Sequence, residues 1–369
     1  MKRNLLTLAV AAAAVAPLST FAAGPTVYGR LDLTTEYETR NIDQDYLATG
    51  TDKFDSNRWL VRSNNSRLGV KGESQLFGGL TGIYQAEWGL SADTAGTSDF
   101  TGRNAFAGIK GDFGTVLMGR KDTPLKEAQG TIDQFNDTIA DIQYYFGGEV
   151  RADNAIEYIS PMLNKAIQFN FMLSEKEQFD KNDSGADVKD AKNGPTDTWS
   201  TSVTYTEGKN YAAFAYDKEV TTSWETYDAI AKPSVASGTP FTGSAVPMDT
   251  FRLVGQTGVD ALTVGIMLES SKSSDKVSGE DLKGSGFMLS GAYKLDTRNS
   301  LKLQLAQTET KYDTTKDKMT EVALGFDNKL SDTSKLYVLL ADLQSKISDS
   351  GDSAKGSQMN LGVGIQHNF

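Results

Sequence analysis

The chain is poor in the side chains that most enzymes use. It has no cysteine and a single histidine, His367, which sits second from last among residues of one apolar face. A hydrolase needs a nucleophile with a base beside it, and a lone histidine two residues before the chain end is read as an interfacial side chain beside Phe369. Carboxylates alone can do acid–base work, but none of the 48 acids is set apart as a pair. Asp43-Gln44-Asp45 and Asp180-Lys181-Asn182-Asp183 lack the spacing of a calcium loop and are read as solvated. No catalysis, metal or cofactor is expected. The unusual segment is 121–150, which mixes Asp122, Glu127, Asp133, Asp137 and Asp141 with Ile132, Phe135, Ile139, Ile142 and Tyr144. Polar surface loops seldom carry so many large apolar residues. They need a surface to pack on, and folding the segment into a hollow interior would supply one while its acids face the opening.

The elements that must position this segment repeat every two residues. From Gln358 to Phe369, Met359, Leu361, Val363, Ile365, His367 and Phe369 share one face, and the other is wholly polar or small. Leu262–Leu268, Phe287–Leu295 and Leu301–Leu305 show the same split, as expected of strands between lipid and water. Turn residues at 76–79, 111–114, 207–210, 295–299 and 330–334 join them in pairs. Longer polar segments, 38–56, 175–197, 220–247, 271–283, 311–318 and 346–356, separate the pairs. The pattern predicts sixteen strands, near 25–37, 57–73, 78–91, 103–112, 114–120, 152–160, 165–174, 198–207, 210–219, 249–257, 260–270, 284–295, 299–310, 319–330, 333–345 and 357–369. An even number closes a single-chain antiparallel barrel, and sixteen leave an aqueous lumen. The expected fold is all-β: a sixteen-stranded transmembrane barrel with an inward-folded third loop.

Residues 1–22 read as an export signal. Lys2 and Arg3 precede an alanine-rich apolar run, and Thr20-Phe21-Ala22 offers a cleavage site. Cutting there leaves 347 of 369 residues, with 35 basic against 48 acidic side chains, a formal charge of −13. That balance argues against nucleic acid as a partner. No other apolar run approaches the roughly 20 residues of a helical span. The domains expected are the signal, 1–22, and one barrel, 23–369, with the constriction loop at about 121–150.

Several short stretches carry a resemblance: Val27–Asp32, Ser66–Gly72, Arg103–Gly108, Phe113–Arg120, Arg151–Pro161 and the terminal Phe369. In this order, behind a signal, they resemble the Gram-negative general porins, especially the neisserial and Vibrio-type proteins. The likeness is clear over roughly 23–170 and at the C-terminus. It implies an outer-membrane homotrimer whose third loop forms a constriction, passing ions and small hydrophilic solutes passively. Carried onto this chain, the basic wall would be Arg67, Arg103, Arg120 and Arg151, joined by Arg30, Arg62 and Lys71. Asp122, Glu127, Asp133, Asp137 and Asp141 would face it. Opposed walls would set a transverse field across the passage, and arginine keeps its charge at any working pH.

Parity puts Arg30 and Arg67 opposite the apolar faces of their strands, whereas Arg103 shares parity with Ala105, Ala107 and Ile109. It faces the lumen only if a bulge intervenes. Phe369 is expected to be the assembly signal read by the barrel-assembly machinery, and outer-membrane lipid and lipopolysaccharide are expected partners. Acids in excess suggest a weak preference for cations, to be reversed if the acids point into the wall. The alternative reading is a substrate-specific channel for a sugar or oligopeptide, which would need aromatics spaced along the lumen. Tyr144, Tyr145 and Phe146 are clustered instead.

Overall fold

The computed structural model describes residues 24–42, 54–94, 100–175, 194, 196–223, 245–276 and 279–369. The export signal and both acidic clusters fall outside the described residues. The strands are β1 (Thr26–Ile42), β2 (Phe54–Ser63), β3 (Arg67–Gln75), β4 (Thr81–Leu90), β5 (Phe100–Gly111), β6 (Gly114–Asp122), β7 (Arg151–Ile159), β8 (Ile167–Ser174) and β9 (Thr198–Glu207). They continue as β10 (Asn210–Ser223), β11 (Ala245–Val259), β12 (Leu262–Ser273), β13 (Leu282–Lys294), β14 (Asn299–Tyr312), β15 (Thr315–Lys329), β16 (Ser334–Asp349) and β17 (Asp352–Asn368).

All pairings are antiparallel, and β1 pairs with β17 from Arg30↔Asn368 to Ile42↔Gly356, so the sheet closes. β2 and β3 are two halves of one wall strand: Leu33–Ile42 pairs with β2 and Thr26–Arg30 with β3. The wall therefore has sixteen strands, each at a position the alternation predicts. The break falls at Asn64-Asn65-Ser66, where Asn65 adopts a left-handed φ of 50°, a conformation asparagine tolerates better than most residues.

Along β16 the alternation has a second cause. Leu336, Val338 and Leu340 are exposed on the outside, as lipid contact requires, but Leu339, Ala341 and Leu343 on the inside are apolar too and fully buried. They are covered by the 121–150 segment. It begins with a short helix, α1 (Pro124–Glu127), whose Thr123 cap accepts the Lys126 amide at 3.2 Å. Leu125, Ile132, Phe135, Ile139, Ile142, Tyr145 and Phe146 then pack on inward residues of β10–β16. Burial of each large apolar side chain contributes roughly 1.5–3 kcal/mol, so the barrel interior holds a core like that of a soluble domain.

Two segments expected to be long loops are not. β14 and β15 are joined by Asp313-Thr314 alone, and β16 and β17 by Ser350-Gly351, with left-handed φ at Asp313, Ser350 and Gly351 as hairpin turns need. Residues 311–318 and 346–356 are mostly strand. Their outer ends rise beyond the apolar belt, so the outward face carries Lys316, Lys318, Lys346 and Lys355 while the buried inward one mixes Thr315 and Asp317 with Ile347 and Ala354, and the alternation that marks a strand fades. The rim with short turns also carries the chain's described beginning and its end. Phe369 exchanges backbone hydrogen bonds with Gly29 at 2.9 and 3.0 Å. A side chain on Gly29 would collide with the Phe369 ring, since a Cβ there would lie 2.4 Å from it.

Candidate functional site

The loop coats the inner wall from β8 round to β16 and leaves an opening against β1, β3, β5 and β7. A cavity of about 660 Å³ lies there. Arg30, Arg67, Arg103 and Arg151 line it from the wall, and Asp137, Asp141 and Glu149 line it from the loop, with Asp122 and Lys126 at the loop's root.

Each arginine arrives by strand geometry. Arg30 and Arg67 are directly opposed across β1 and β3, and like charges so placed repel. Asp137 relieves this: its Oδ2 accepts from Arg30 at 2.8 Å and from Arg67 at 3.2 Å. Asn65, released from the wall at the β2–β3 break, donates to Asp137 Oδ1 at 2.8 Å and accepts from Arg103 at 3.2 Å. Asp137 itself has φ of 71°, and its amide donates to the Asp141 carboxylate at 2.5 Å. Arg103 reaches the lumen because β4 and β5 slip register between Ala86 and Trp88. The bulge sets two β5 residues against Glu87, and Arg103 donates to that carboxylate at 2.6 Å. Arg151 donates to Asn104 at 2.7 Å and pairs with Asp122 at 3.0 Å, while Lys126 pairs with Asp122 at 3.3 Å.

The remaining predicted residues lie elsewhere. Arg62 sits farther toward the outer rim, pairing with Glu36 and Glu38 at 3.3 Å. Lys71 stands toward the short-turn rim, 4.9 Å over the Tyr28 ring. Arg120 opposes Ala105 across β5 and β6, on the face that carries Ile109 and Met118, and pairs with Asp153. Of the acids, Glu127 turns to Lys121 at 2.5 Å. Asp133 does not face the opening. Its carboxylate accepts the amides of Phe135 at 2.8 Å and Ile142 at 3.1 Å, tying two turns of the loop together. Burial pushes its pKa up to about 7. Burial also holds Asp141 well above the usual carboxylate range, with Asp133 and Asp137 adding to the effect. Both thus lean toward their neutral forms, because amide hydrogen bonds offset only part of the lost hydration.

Sequence reasoning missed Glu87, Asn65, Asn104, Lys126 and Glu149. It also missed Arg252, fully buried, which holds the loop's return through Glu149 at 2.7 Å and β12 through Glu269 at 2.6 Å. Lys126 and Glu149 lie inside the segment that stood out. The others depend on contacts between residues tens to over a hundred positions apart, which no local pattern reveals.

The chain matches the family model described as Gram-negative porin over residues 7–348. Among curated relatives, Outer membrane porin protein 32 of Delftia acidovorans is 25% identical, with each chain covered in full. A Monosaccharide porin of Halomonas sp is 31% identical over 44% of this chain and 47% of its own. Among solved structures, an anion-selective porin from Comamonas acidovorans superposes with a TM-score of 0.63 at 20% identity, covering 94% of this chain and 99% of that one.

Proposed function

The chain belongs to the Gram-negative porin family, a channel of the outer membrane, and from that premise we propose a general-diffusion pore with a modest preference for anions. The observation that carries the preference is the fate of the loop acids. Asp133 is turned into the loop and Asp141 is held toward its neutral form, while Asp137 is shared by two arginines. Arg30, Arg67, Arg103, Arg151 and Lys126 all line the same opening. This reverses the lean toward cations that net charge suggests. Screening over about 8–10 Å at physiological salt makes the eyelet count for more than distant loops. The structural likeness to a porin named as anion-selective supports the same sign.

The pore acts without chemistry. Water-filled walls of fixed opposite charge orient a polar solute and exclude an apolar one, which must strip ordered water from both. A sugar-specific channel would present aromatic faces along the path, but Tyr145 and Phe146 are packed into the loop's core. We further read the assembly as a homotrimer. The outward face of β5 offers the small Gly102, Ala105 and Ala107 for close contact, and the trimer form of a Vibrio cholerae outer-membrane protein shares the fold, with a TM-score of 0.61.

Planar-bilayer recordings under a KCl gradient test the preference. The expected result is conductance that rises with salt and a reversal potential of the anion-selective sign. A clear cation-selective sign would overturn the reading of the eyelet. Native mass measurement in detergent tests the trimer, which a persistent monomer at all concentrations would refute.

A further inference from the structure

The two ends of the loop meet behind the eyelet on one side chain. Arg252 points inward from β11, directly opposed to Glu269 on β12 and to the small Ala215 on β10, and it is fully buried. Its Nε and one terminal nitrogen donate to the Glu269 carboxylate at 2.8 and 2.6 Å. The other terminal nitrogen donates to Glu149 at 2.7 Å and reaches the Leu125 carbonyl at 3.4 Å. Leu125 lies where the loop begins and Glu149 where it ends, so one planar fork ties both to the wall. Arginine suits the place, because it offers donors on three edges and keeps its charge when buried. Gly148 permits the close approach, since a Cβ there would lie 2.9 Å from the guanidinium. Gly147 adds two ties, its amide donating to Glu269 at 3.0 Å and its carbonyl accepting from Thr222 at 2.9 Å.

Glu149 differs from the other acids of the opening in where its counter-charge lies. Glu87 pairs with Arg103, Asp122 with Arg151 and Lys126, and Asp137 with Arg30 and Arg67, and all of these cations line the same opening. Asp141 accepts backbone amides of the loop. Glu149 lines the opening too, but its carboxylate is turned back to an arginine outside it, and its side chain is only 6% exposed. A third buried acid, Asp217 on β10, lies one row farther out opposite Thr250 and bonds to Ser200 instead. Without Arg252, the cations left for Glu149 to turn toward are Lys126 and Arg151, in the opening itself.

We propose that Arg252 is a positioning residue for ion selection: it never meets the solute, but it withholds the Glu149 carboxylate from the passage and so keeps the eyelet's balance on the anion side. This rests on the eyelet being the selecting element, as proposed above. Distance sets the size of the effect. A carboxylate about 8 Å from an ion's path, screened by salt, changes the anion-to-cation permeability ratio about twofold, and one turned to about 5 Å changes it about fivefold.

Reversal potentials in planar bilayers under a KCl gradient test this as a double-mutant cycle. One arm is Glu149→Gln in the wild type. The other is Glu149→Gln in Arg252→Gln/Glu269→Gln, a paired change that removes one positive and one negative charge, so net charge is kept while Glu149 loses its partner. The paired change alone is expected to shift the permeability ratio about 2.5-fold toward cations. Adding Glu149→Gln to it should then shift the ratio about fivefold toward anions, against about twofold in the wild type. An equal or smaller shift in the paired background overturns the proposal, because fixed charges that merely add give no coupling and a collapsed loop gives less. If the paired variant fails to fold, the wild-type arm decides: a shift of about twofold supports a withheld carboxylate, and one of about fivefold overturns it. A cation-selective wild type overturns the eyelet's proposed sign and leaves the comparison of the two arms intact, so the two readings fail separately.

Discussion

Asp137→Asn isolates the eyelet's charge from its shape. The side chain keeps an acceptor for Arg30 or Arg67 and nearly the same volume, but two opposed guanidinium groups lose their shared anion. A unit charge about 5 Å from an ion's path in water is worth about 0.8 kcal/mol, and a Debye length of about 10 Å reduces that to roughly 0.5 kcal/mol. Removing the carboxylate favours an anion and disfavours a cation by that amount. The permeability ratio should therefore shift by about 1 kcal/mol, roughly fivefold toward anions. Under a tenfold KCl gradient the reversal potential should move by on the order of 30 mV. Planar-bilayer recording reads this directly, with Asp133→Asn as the comparison. That carboxylate is spent on the Phe135 and Ile142 amides, so its loss should move the potential by only a few millivolts. An unchanged potential in Asp137→Asn, or a larger shift in Asp133→Asn, would refute the placement of the selecting charges.

Phe135→Ala should loosen the loop. The ring packs under Lys302 and against Gly325, a loss of about 3–5 kcal/mol is usual for such a truncation, and single-channel conductance should rise and grow noisier; an unaltered trace would count against the packed loop as the constriction. Asp133 and Asp141 bind protons more tightly in the packed loop than in an unfolded chain. The stabilisation from protonation is thus complete below the ordinary carboxylate range of about 4 and is lost as pH rises, for Asp133 toward 7. Hydrogen exchange at the Phe135 and Ile142 amides, corrected for intrinsic rates, should show more protection at pH 5 than at pH 8, and the reverse order would contradict the burial argument. Deleting Phe369 should lower the outer-membrane yield of folded barrel, because its backbone completes the pairing with Gly29; equal yield would remove it as an assembly signal.

The barrel was legible because lipid on one side and water on the other force a period of two, and that period survives any change of residue within its class. It failed where the two environments become alike. Above the belt, the outward residues of 311–318 and 346–356 are polar, and the buried inward ones mix Thr315 and Asp317 with Ile347 and Ala354, so the segments read as loops. Along β16, loop and lipid make both faces apolar. The loop's inward fold was legible from Ile132, Phe135 and Ile139, which have no business on a surface. The roles of its acids were not. Asp133 and Asp137 are four residues apart and alike in type, yet one caps backbone amides and the other bridges two arginines. Arg103 was legible only conditionally, because a bulge beside Glu87 decides its face.

The join between β1 and β17 has a consequence for how the chain reaches its native state. Arg30 and Asn368 are 338 positions apart, whereas nearly every other strand pairs with its sequence neighbour. Hairpins can zip one after another at little entropic cost, but this last seam closes a loop spanning nearly the whole chain. Until it closes, β1 and β17 are bare edges, able to pair with any strand they meet. The Gly29 and Phe369 contact lies at the very end of that seam, so it is the latch of a cylinder that is harmless only once shut.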